Sequence, residues 1–338
     1  MQYREHCPNC GGNDSKWQGY NDGVKGNRRR FCNICRRKWT PPPDSDVMKG
    51  DLSYANKEVN EMSREDMLDA YRSTQNLFNK TNTFQKELKA HIDTDSPVIL
   101  QFMSDLQFGN PAMDLDKHIE YTDYIINTPN LYVGLLGDEL DTFFPGFYSG
   151  RPVSNTVFPP QQQLMYFEKW LEDIQDKLLF ATWDNHTDMR LEKAIGFSPA
   201  AMLKSKFCPY FNGIGQTFLT VGSIEYHIVS SHFFKGKSKY NPLHGVMSFA
   251  REQVQTADIY AQGDQHQASV GHFALGGKDR VYIMTGTLNN GDEYTNRHYT
   301  PFAQCEMPAV VLDNTRRHMV PFRTMESAGT YIKGLSGQ

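Results

Sequence analysis

The sequence predicts an α/β domain preceded by a small, cysteine-rich N-terminal module. From Ser96 onward, short apolar and β-branched runs alternate with segments of helical periodicity, which is the pattern of an α/β layered domain. Two apolar stretches near the C-terminus have the form of hairpins, so we expect part of the sheet structure to be mixed or antiparallel. Residues 1–40 contain four of the six cysteines, arranged in two CxxC pairs. These observations separate a larger domain from a short N-terminal module.

The composition is that of a globular protein with unevenly distributed charge. The 338 residues are 39% hydrophobic and 22% charged, and the net charge of −4 excludes a chain that is polycationic throughout. Residues 1–43, however, contain nine Lys/Arg and three Asp/Glu. No apolar run approaches the roughly 20 residues of a membrane span, and the N-terminus shows no secretory signal. We therefore expect a cytoplasmic protein without a membrane partner.

The cysteine pattern predicts a structural zinc site within residues 1–40. Cys7 and Cys10 form one CxxC pair, and Cys32 and Cys35 form another after 21 intervening residues. Two such pairs supply the four thiolates of a tetrahedral zinc site. A module this small has too little core to fold without a metal or disulfide staple. The segment resembles the zinc ribbons found at the N-termini of transposases and other DNA-handling proteins.

Basic and aromatic residues are interleaved within the same module. The residues predicted to bind nucleic acid are Arg28, Arg29, Arg30, Arg36, Arg37 and Lys38. Trp17, Tyr20, Phe31 and Trp39 lie among them. This combination suits a phosphate backbone and stacked bases, so nucleic acid is the favoured partner, with DNA preferred. The alternative is a solvated face around a small core, with the module contacting protein.

Residues 41–94 are predicted to form a linker followed by a helix. The consecutive prolines of TPPPDSD favour an extended chain. Ser63 and Asp66 have the spacing of a capping box, and apolar residues recur at three-to-four spacing through 63–92. The helix 63–92 is expected to pack on the main domain. Self-association, or a protein partner bound through this helix, is the alternative.

Five predicted strands each end in side chains that can bind metal. The strands are PVILQFMS, LYVGLLG, LLFATW, EYHIVSS and DIYAQG. The polar residues that follow them are Asp105, Gln107, Asp138, Asp141, Asn185, His186, His232, Asp264 and His266. Any one of these positions is typical of a turn or a helix cap. Ligands bind beyond the carboxyl ends of strands in α/β sheets, so the recurrence predicts one shared site.

The order of these motifs resembles that of the calcineurin-like metallophosphoesterases over about residues 96–325. The resemblance implies a two-sheet β-sandwich flanked by helices, placed over 95–330, and phosphoester hydrolysis at a two-metal centre. It implies that Asp138 bridges the two ions. The other implied ligands are Asp105, Gln107 and His266 for the first ion, and Asn185, His232 and Asp264 for the second. By the same resemblance, His186 would be the catalytic histidine and Asp141 the acid that orients it.

Two positions depart from the family pattern. Gln107 and Asp264 stand where the family usually has histidines, so oxygen ligands replace nitrogen ligands. Oxygen ligands favour harder ions, and we therefore expect Mn²⁺ or Mg²⁺ rather than Zn²⁺ at the active site. The additional carboxylate should raise the pKa of a bridging water and shift the activity optimum to alkaline pH. An inactive descendant of the family is the alternative.

The favoured function is that of a phosphodiesterase or nuclease that cuts nucleic acid with a metal-activated hydroxide. The combination resembles the repair-exonuclease branch of the family or a phage-type relative. One alternative is a protein or small-molecule phosphatase with the zinc ribbon as a docking module, and another is an inactive metal-binding scaffold. The basic residues after His232 either line the cleft or form an ordinary exposed loop. They are Lys235, Lys237, Lys239 and His244.

Overall fold

The chain divides into two compact units, Met1–Thr83 and Phe84–Gln338. The computed structural model describes residues 6–20, 28–39, 63–81, 86–142, 156–238, 240–291 and 305–336. The predicted linker between 40 and 62, and Lys239, lie outside the described residues. No described helix is both long enough and apolar enough to cross a membrane.

The smaller unit contains a three-stranded antiparallel sheet and one helix. Its elements are β1 (Ser15–Tyr20), β2 (Arg28–Cys32), β3 (Lys38–Trp39) and α1 (Arg64–Thr81). The capping box predicted at the start of α1 is formed. Ser63 Oγ accepts a hydrogen bond from the backbone N–H of Asp66 at 3.1 Å, and Asp66 Oδ2 accepts one from the backbone N–H of Ser63 at 3.2 Å.

The larger unit contains twelve strands and six helices among its described residues. In chain order they are β4 (Glu87–Ile92), β5 (Val98–Met103), α2 (Leu115–Asn127), β6 (Leu131–Leu135), α3 (Pro160–Ile174), β7 (Leu178–Thr182), α4 (Asp188–Ile195), α5 (Pro199–Phe207), β8 (Tyr210–Phe211), β9 (Gly215–Val221), β10 (Ile224–Ser231), α6 (His244–Glu252), β11 (Ile259–Gln262), β12 (Ser269–Leu275), β13 (Lys278–Met284), β14 (Ala309–Leu312), β15 (Met319–Phe322) and α7 (Met325–Ser336). A 3₁₀ turn, Gln175–Lys177, joins α3 to β7.

The prediction of a single helix over 63–92 is wrong in its C-terminal part. Helix α1 ends at Thr81, and β4 pairs in parallel with β9. Leu88 and Ile92 are four residues apart, which suits a helix face, but Leu88, Ala90 and Ile92 also alternate with polar residues at strand period. Pairing with β9 selects the strand, because strand formation depends strongly on neighbouring strands.

The strands form two six-stranded mixed sheets. The first has the order β15-β14-β5-β6-β7-β8, in which β5 to β8 run parallel and β14 and β15 are antiparallel additions. The second has the order β12-β13-β11-β10-β9-β4. Within it, β10, β11 and β13 are parallel, and the β12–β13 hairpin is antiparallel. The two predicted C-terminal hairpins are therefore present.

Three hydrophobic clusters arrange these elements in layers. One cluster joins side chains of both sheets and forms the centre of a sandwich, with Leu100 and Phe102 from β5 and Ile228 from β10. A second cluster joins the other face of the first sheet to helices including α2, α3 and α7. A third packs α6 on the outer face of the second sheet. The predicted two-sheet sandwich flanked by helices is thus confirmed, and every residue of β5 is buried because both faces of its sheet are covered.

Candidate metal centre

Loops that follow strands of both sheets meet at one point. Asp105 follows β5, and its backbone N–H donates to Gly137 O after β6 at 2.9 Å. In the second sheet, the N–H of Gly263 after β11 donates to His232 O after β10 at 2.9 Å. The two sheets are joined where the N–H of Asp264 donates to Asp105 Oδ2 at 3.1 Å. The ends of β5, β6, β10 and β11 therefore form one cluster of polar side chains.

Five of the predicted site residues have a left-handed backbone. They are Asp105 (φ 54°), Gln107 (φ 50°), Asp138 (φ 54°), Asp264 (φ 70°) and His266 (φ 58°). Residues other than glycine avoid this region, because the Cβ atom approaches the following backbone. Such conformations persist only when the surrounding structure holds them, and they concentrate at functional sites. Here the sharp turn after each strand directs the side chain into the shared cluster.

The centre of this cluster is a buried group formed by Asp105, Asp138 and His232, which we call the candidate metal centre. One ligand atom from each residue lies within 4.8 Å of those of the other two. His232 Nδ1 lies 2.7 Å from Leu136 O, so this nitrogen carries the proton and donates it. His232 Nε2 is 3.4 Å from Asp138 Oδ2 but has no hydrogen-bond partner among the described residues. A buried imidazole nitrogen of this kind, beside two carboxylates, fits a divalent cation.

The charges of the candidate metal centre also favour a cation. Burial raises the pKa of Asp138 to about 7, although the adjacent His232 opposes the shift. Burial lowers the pKa of His232, but the carboxylates of Asp138, Asp105 and Asp184 outweigh burial and raise it well above the ordinary histidine value. A bound divalent ion would stabilise the ionised carboxylates and the neutral imidazole together.

The side chains predicted to complete the first ion site lie beside Asp105. His266 Nε2 is 3.0 Å from Asp105 Oδ1 and 3.3 Å from Gln107 Nε2. Gln107 Oε1 accepts a hydrogen bond from Asn289 Nδ2 at 2.6 Å. Gln107 and His266 are therefore close to the candidate metal centre, and the oxygen that Gln107 could offer to an ion is engaged by Asn289. No local pattern in the sequence points to Asn289.

The side chains predicted to complete the second ion site contact one another. Asn185 Nδ2 is 3.3 Å from Asp264 Oδ1. The other oxygen of this carboxylate, Asp264 Oδ2, pairs with Lys237 Nζ at 2.6 Å. Asn185 and Asp264 are thus in contact, and the Asp264 carboxylate is shared with Lys237.

His186 lies next to Asp138 as expected for a residue that acts at the centre. Its backbone N–H donates to Asp138 Oδ1 at 3.2 Å. Burial, reinforced by the guanidinium of Arg190, lowers the pKa of His186 well below the ordinary histidine value, so its ring is neutral at pH 7. Its Nδ1 has no hydrogen-bond partner among the described residues. Asp141 is buried, and its Oδ1 accepts a hydrogen bond from Asn110 Nδ2 at 3.4 Å.

A buried lysine, which the sequence analysis missed, lies behind the site. Lys204 Nζ on α5 pairs with Asp188 at 2.8 Å, with Asp184 at 3.1 Å and with Glu139 at 3.4 Å, and all four side chains are essentially inaccessible. Glu139 adjoins Asp138, and Asp184 precedes Asn185. Although burial opposes it, these carboxylates raise the pKa of Lys204 well above its ordinary value. One ammonium therefore connects α5 to two of the loops that carry site residues.

The four N-terminal cysteines form a second group that can hold a metal. Their sulfur atoms all lie within 4.8 Å of one another, with Cys7 Sγ 3.5 Å from Cys35 Sγ and Cys10 Sγ 3.7 Å from Cys32 Sγ. Sulfur ligands about 2.3 Å from a tetrahedral zinc ion lie about 3.8 Å apart, so the arrangement fits zinc. Of the predicted nucleic-acid-binding residues, Arg36, Arg37 and Lys38 are exposed, Arg29 and Arg30 are half-buried, and Arg28 begins β2.

Comparison with known proteins gives only distant likenesses. No family model matches the chain, and no curated protein matches it. Among solved structures, Vacuolar Protein Sorting 29 from Cryptosporidium parvum is 16% identical, covering 68% of this chain and 100% of that chain, with a TM-score of 0.38. Vps29 from Entamoeba histolytica, complexed with zinc, is 10% identical, covering 67% of this chain and 98% of that chain, with a TM-score of 0.33. Vps29 from Chaetomium thermophilum is 10% identical, covering 67% of this chain and 96% of that chain, with a TM-score of 0.33.

Proposed function

We propose that the protein is a metal-dependent phosphoesterase, and that its substrates are phosphodiesters of nucleic acid. One observation carries the proposal: the buried group of Asp105, Asp138 and His232 includes an imidazole nitrogen without a hydrogen-bond partner among the described residues, directly beside the Asn185–His186 pair. Hydrolytic sites for phosphate esters combine this kind of ligand group with a nearby donor for the phosphoryl oxygens.

The proposed ligands extend beyond the central group. In the proposed arrangement Asp138 would help to hold two ions, the first together with Asp105, Gln107 and His266 and the second together with Asn185, His232 and Asp264. Divalent ions bound there would polarise a phosphoryl group and lower the pKa of a bound water. Three carboxylates and two amide oxygens make the proposed site rich in oxygen, which favours Mn²⁺ or Mg²⁺.

His186 is proposed to stabilise the phosphate rather than to protonate the leaving group. Because its pKa lies well below the ordinary histidine value, the ring is neutral at pH 7 and holds no surplus proton to donate. Any cation bound at Asp138 would lower this pKa further. A neutral imidazole can still donate one N–H to a phosphoryl oxygen, as developing negative charge requires. Asp141 is proposed to support this region through its contact with Asn110.

The N-terminal ribbon supports nucleic acid as the substrate class. Arg36, Arg37 and Lys38 are consecutive and exposed, and they lie next to the cysteine group. Consecutive exposed cations attract a polyanion such as DNA or RNA without regard to its sequence. Small monoester substrates would not contact such a segment. The ribbon therefore favours a nucleic-acid phosphodiester as the substrate.

The proposal predicts that Asp138→Asn and His186→Ala remove activity. The purified protein would be incubated with Mn²⁺ and with single-stranded DNA, double-stranded DNA, RNA, a diester dye and a monoester dye. We expect cleavage of nucleic acid and of the diester dye. Asp138→Asn should lower the rate by roughly a thousandfold or more, and His186→Ala by roughly a hundredfold to a thousandfold.

Matched substitutions on the protein surface serve as controls. Asp279→Asn and His272→Ala change an exposed carboxyl and an exposed imidazole of the β12–β13 hairpin, and they should leave the rate unchanged. Turnover of the monoester dye alone would replace nucleic acid with a phosphomonoester as the substrate class. A protein that turns over none of the substrates, with Mn²⁺, Mg²⁺ or Zn²⁺, would contradict the assignment as an enzyme.

A further inference from the structure

Lys237 connects an exposed loop to the candidate metal centre. Its side chain is 69% exposed, yet its Nζ lies 2.6 Å from Asp264 Oδ2, and only 13% of the Asp264 side chain is exposed. Lys235, two residues earlier in the same loop, is also exposed but has no ion pair with any described residue. The loop therefore directs one of these two ammonium groups to the site and leaves the other in solvent.

Two aromatic rings border the same side of the site. Phe233 directly follows His232 and remains 41% exposed despite its size. Its ring centroid is 6.5 Å from that of Trp183, which is half-buried and immediately precedes the Asp184–Asn185 pair. Trp183 is held in place by a hydrogen bond from its Nε1 to Glu192 Oε2 at 3.3 Å. An exposed ring supported by a fixed one thus borders the side of the site that contains Asn185, His232 and Asp264.

We infer that Trp183, Phe233 and Lys237 form a nucleotide-binding rim, in which Lys237 contacts the phosphodiester and Phe233 stacks on the adjoining base. This inference rests on the proposed function and specifies how that site selects its substrate. Base stacking on aromatic side chains tolerates any sequence, because every base has a π-face. A phosphoserine or phosphothreonine side chain, or an alkyl phosphate, offers an anion to Lys237 but no planar ring to Phe233.

The Lys237–Asp264 pair is a contact that a cation at the site would weaken. Exposed ion pairs contribute little to folding, so stability alone gives no reason for this lysine to reach the site. A carboxylate that ligates a cation has less negative charge to offer an ammonium group, and the ammonium is then available to another anion. Lys237 would therefore pair with Asp264 in the metal-free protein and with the substrate phosphate in the loaded protein.

Metal titration without substrate tests the first half of this inference. Lys237→Ala removes a cation that competes for Asp264, so the variant should bind Mn²⁺ roughly threefold or more tightly than the wild type. The binding constant is measured by isothermal titration calorimetry on the full chain. Lys235→Ala is the matched control and should bind Mn²⁺ as the wild type does. Equal affinities for the two variants would overturn the competition between Lys237 and the ion.

Paired substrates test the second half. Thymidine 5′-(p-nitrophenyl phosphate) carries a base beside the scissile phosphate, whereas methyl p-nitrophenyl phosphate does not. Phe233→Leu keeps an apolar side chain but removes the ring, so it should raise the KM of the thymidine diester about tenfold and leave the KM of the methyl diester unchanged. Lys237→Ala should raise the KM of both diesters, and Lys235→Ala of neither.

The outcomes separate this inference from the proposed function. A wild-type protein that cleaves neither diester contradicts the proposed function. The Mn²⁺ titrations then still test whether Lys237 competes with the ion for Asp264. A wild type that cleaves both diesters, together with a Phe233→Leu variant whose two KM values rise equally, retains the proposed function and overturns the stacking role. Thermal melting of each variant identifies any loss of folding, which is not expected for these exposed side chains.

Discussion

At the scale of single residues, Gly263 controls how closely the two sheets approach at the candidate metal centre. A Cβ atom placed on Gly263 would lie 2.8 Å from Ser104 Cβ and 2.9 Å from Asp105 Oδ2. Contacts this short between carbon and its neighbours do not persist in folded proteins, and Ser104 is completely buried. Any side chain at position 263 must therefore displace Ser104, Asp105 or both.

We predict that Gly263→Ala weakens metal binding by roughly tenfold to a hundredfold, the effect usual for residues that support a ligand. The measurement is calorimetric titration with Mn²⁺. Gly334→Ala, on α7, is the control because a Cβ there meets no atom within 4 Å, and alanine suits a helix interior. Equal Mn²⁺ affinity in the Gly263 variant and the wild type would contradict the requirement for glycine at this position.

The sequence predicts some residues of the site and not others, for physical reasons. Asp105, Asp138 and His232 each follow an apolar strand, and a polar residue at that position is visible in the chain itself. The requirement for glycine at 263 arises from contact with Ser104, which belongs to the other sheet. The role of Asn289 likewise depends on its contact with Gln107, which is distant in sequence. The basic run after His232 indicates a possible cleft lining, but only the contact with Asp264 shows that Lys237 reaches the site.

At the scale of elements, buried ion pairs connect α5 to the loops that follow β6 and β7. Lys204 is completely buried among Glu139, Asp184 and Asp188, and Ser198 and Tyr210 also donate hydrogen bonds to Asp188. In the sequence, PAAMLKSKF shows two lysines two residues apart that look alike. Only one is buried, because the loops of other elements supply the carboxylates.

We predict that Lys204→Met lowers the free energy of unfolding by about 3–5 kcal/mol, because the three carboxylates lose their buried partner. Lys206→Met, on the same helix, removes a partly exposed pair with Glu168 and should change it by at most about 1 kcal/mol. Urea denaturation of both variants measures the difference. If the Lys204 variant were as stable as the Lys206 variant, the Lys204 ammonium would not contribute to stability through these carboxylates.

The sequence predicts strands correctly where their assignment does not depend on pairing with a neighbouring strand. The strands β5, β6, β7, β10 and β11 lie where their apolar runs place them, because buried runs of this length have few alternatives. β4 was missed because its apolar residues fit both a helix and a strand, and its pairing with β9 decides between them.

At the scale of the whole molecule, positive charge is concentrated in the smaller unit. Residues 1–43 carry nine Lys/Arg against three Asp/Glu, whereas the entire chain has a net charge of −4. Counterion release makes the binding of such a segment to DNA fall as salt concentration rises. The ribbon is therefore the part of the molecule expected to set the salt dependence of nucleic-acid binding.

We predict that replacing Arg36, Arg37 and Lys38 by glutamine lowers the slope of log binding constant against log salt concentration by about 2 to 3. Fluorescence anisotropy with labelled DNA over a range of NaCl concentrations measures the slope. The control replaces three exposed lysines on helices of the larger unit, Lys169, Lys193 and Lys333. If both triple variants change the slope equally, the ribbon has no special part in binding DNA.

The five site residues with a left-handed backbone imply a trade-off between the stability of the fold and the proposed activity. Each of the five costs the fold on the order of 1 kcal/mol, a cost that glycine would relieve. Glycine, however, has no side-chain atom with which to hold an ion. Selection for a more stable protein and selection for the proposed metal-dependent activity would therefore favour different residues at positions such as Gln107.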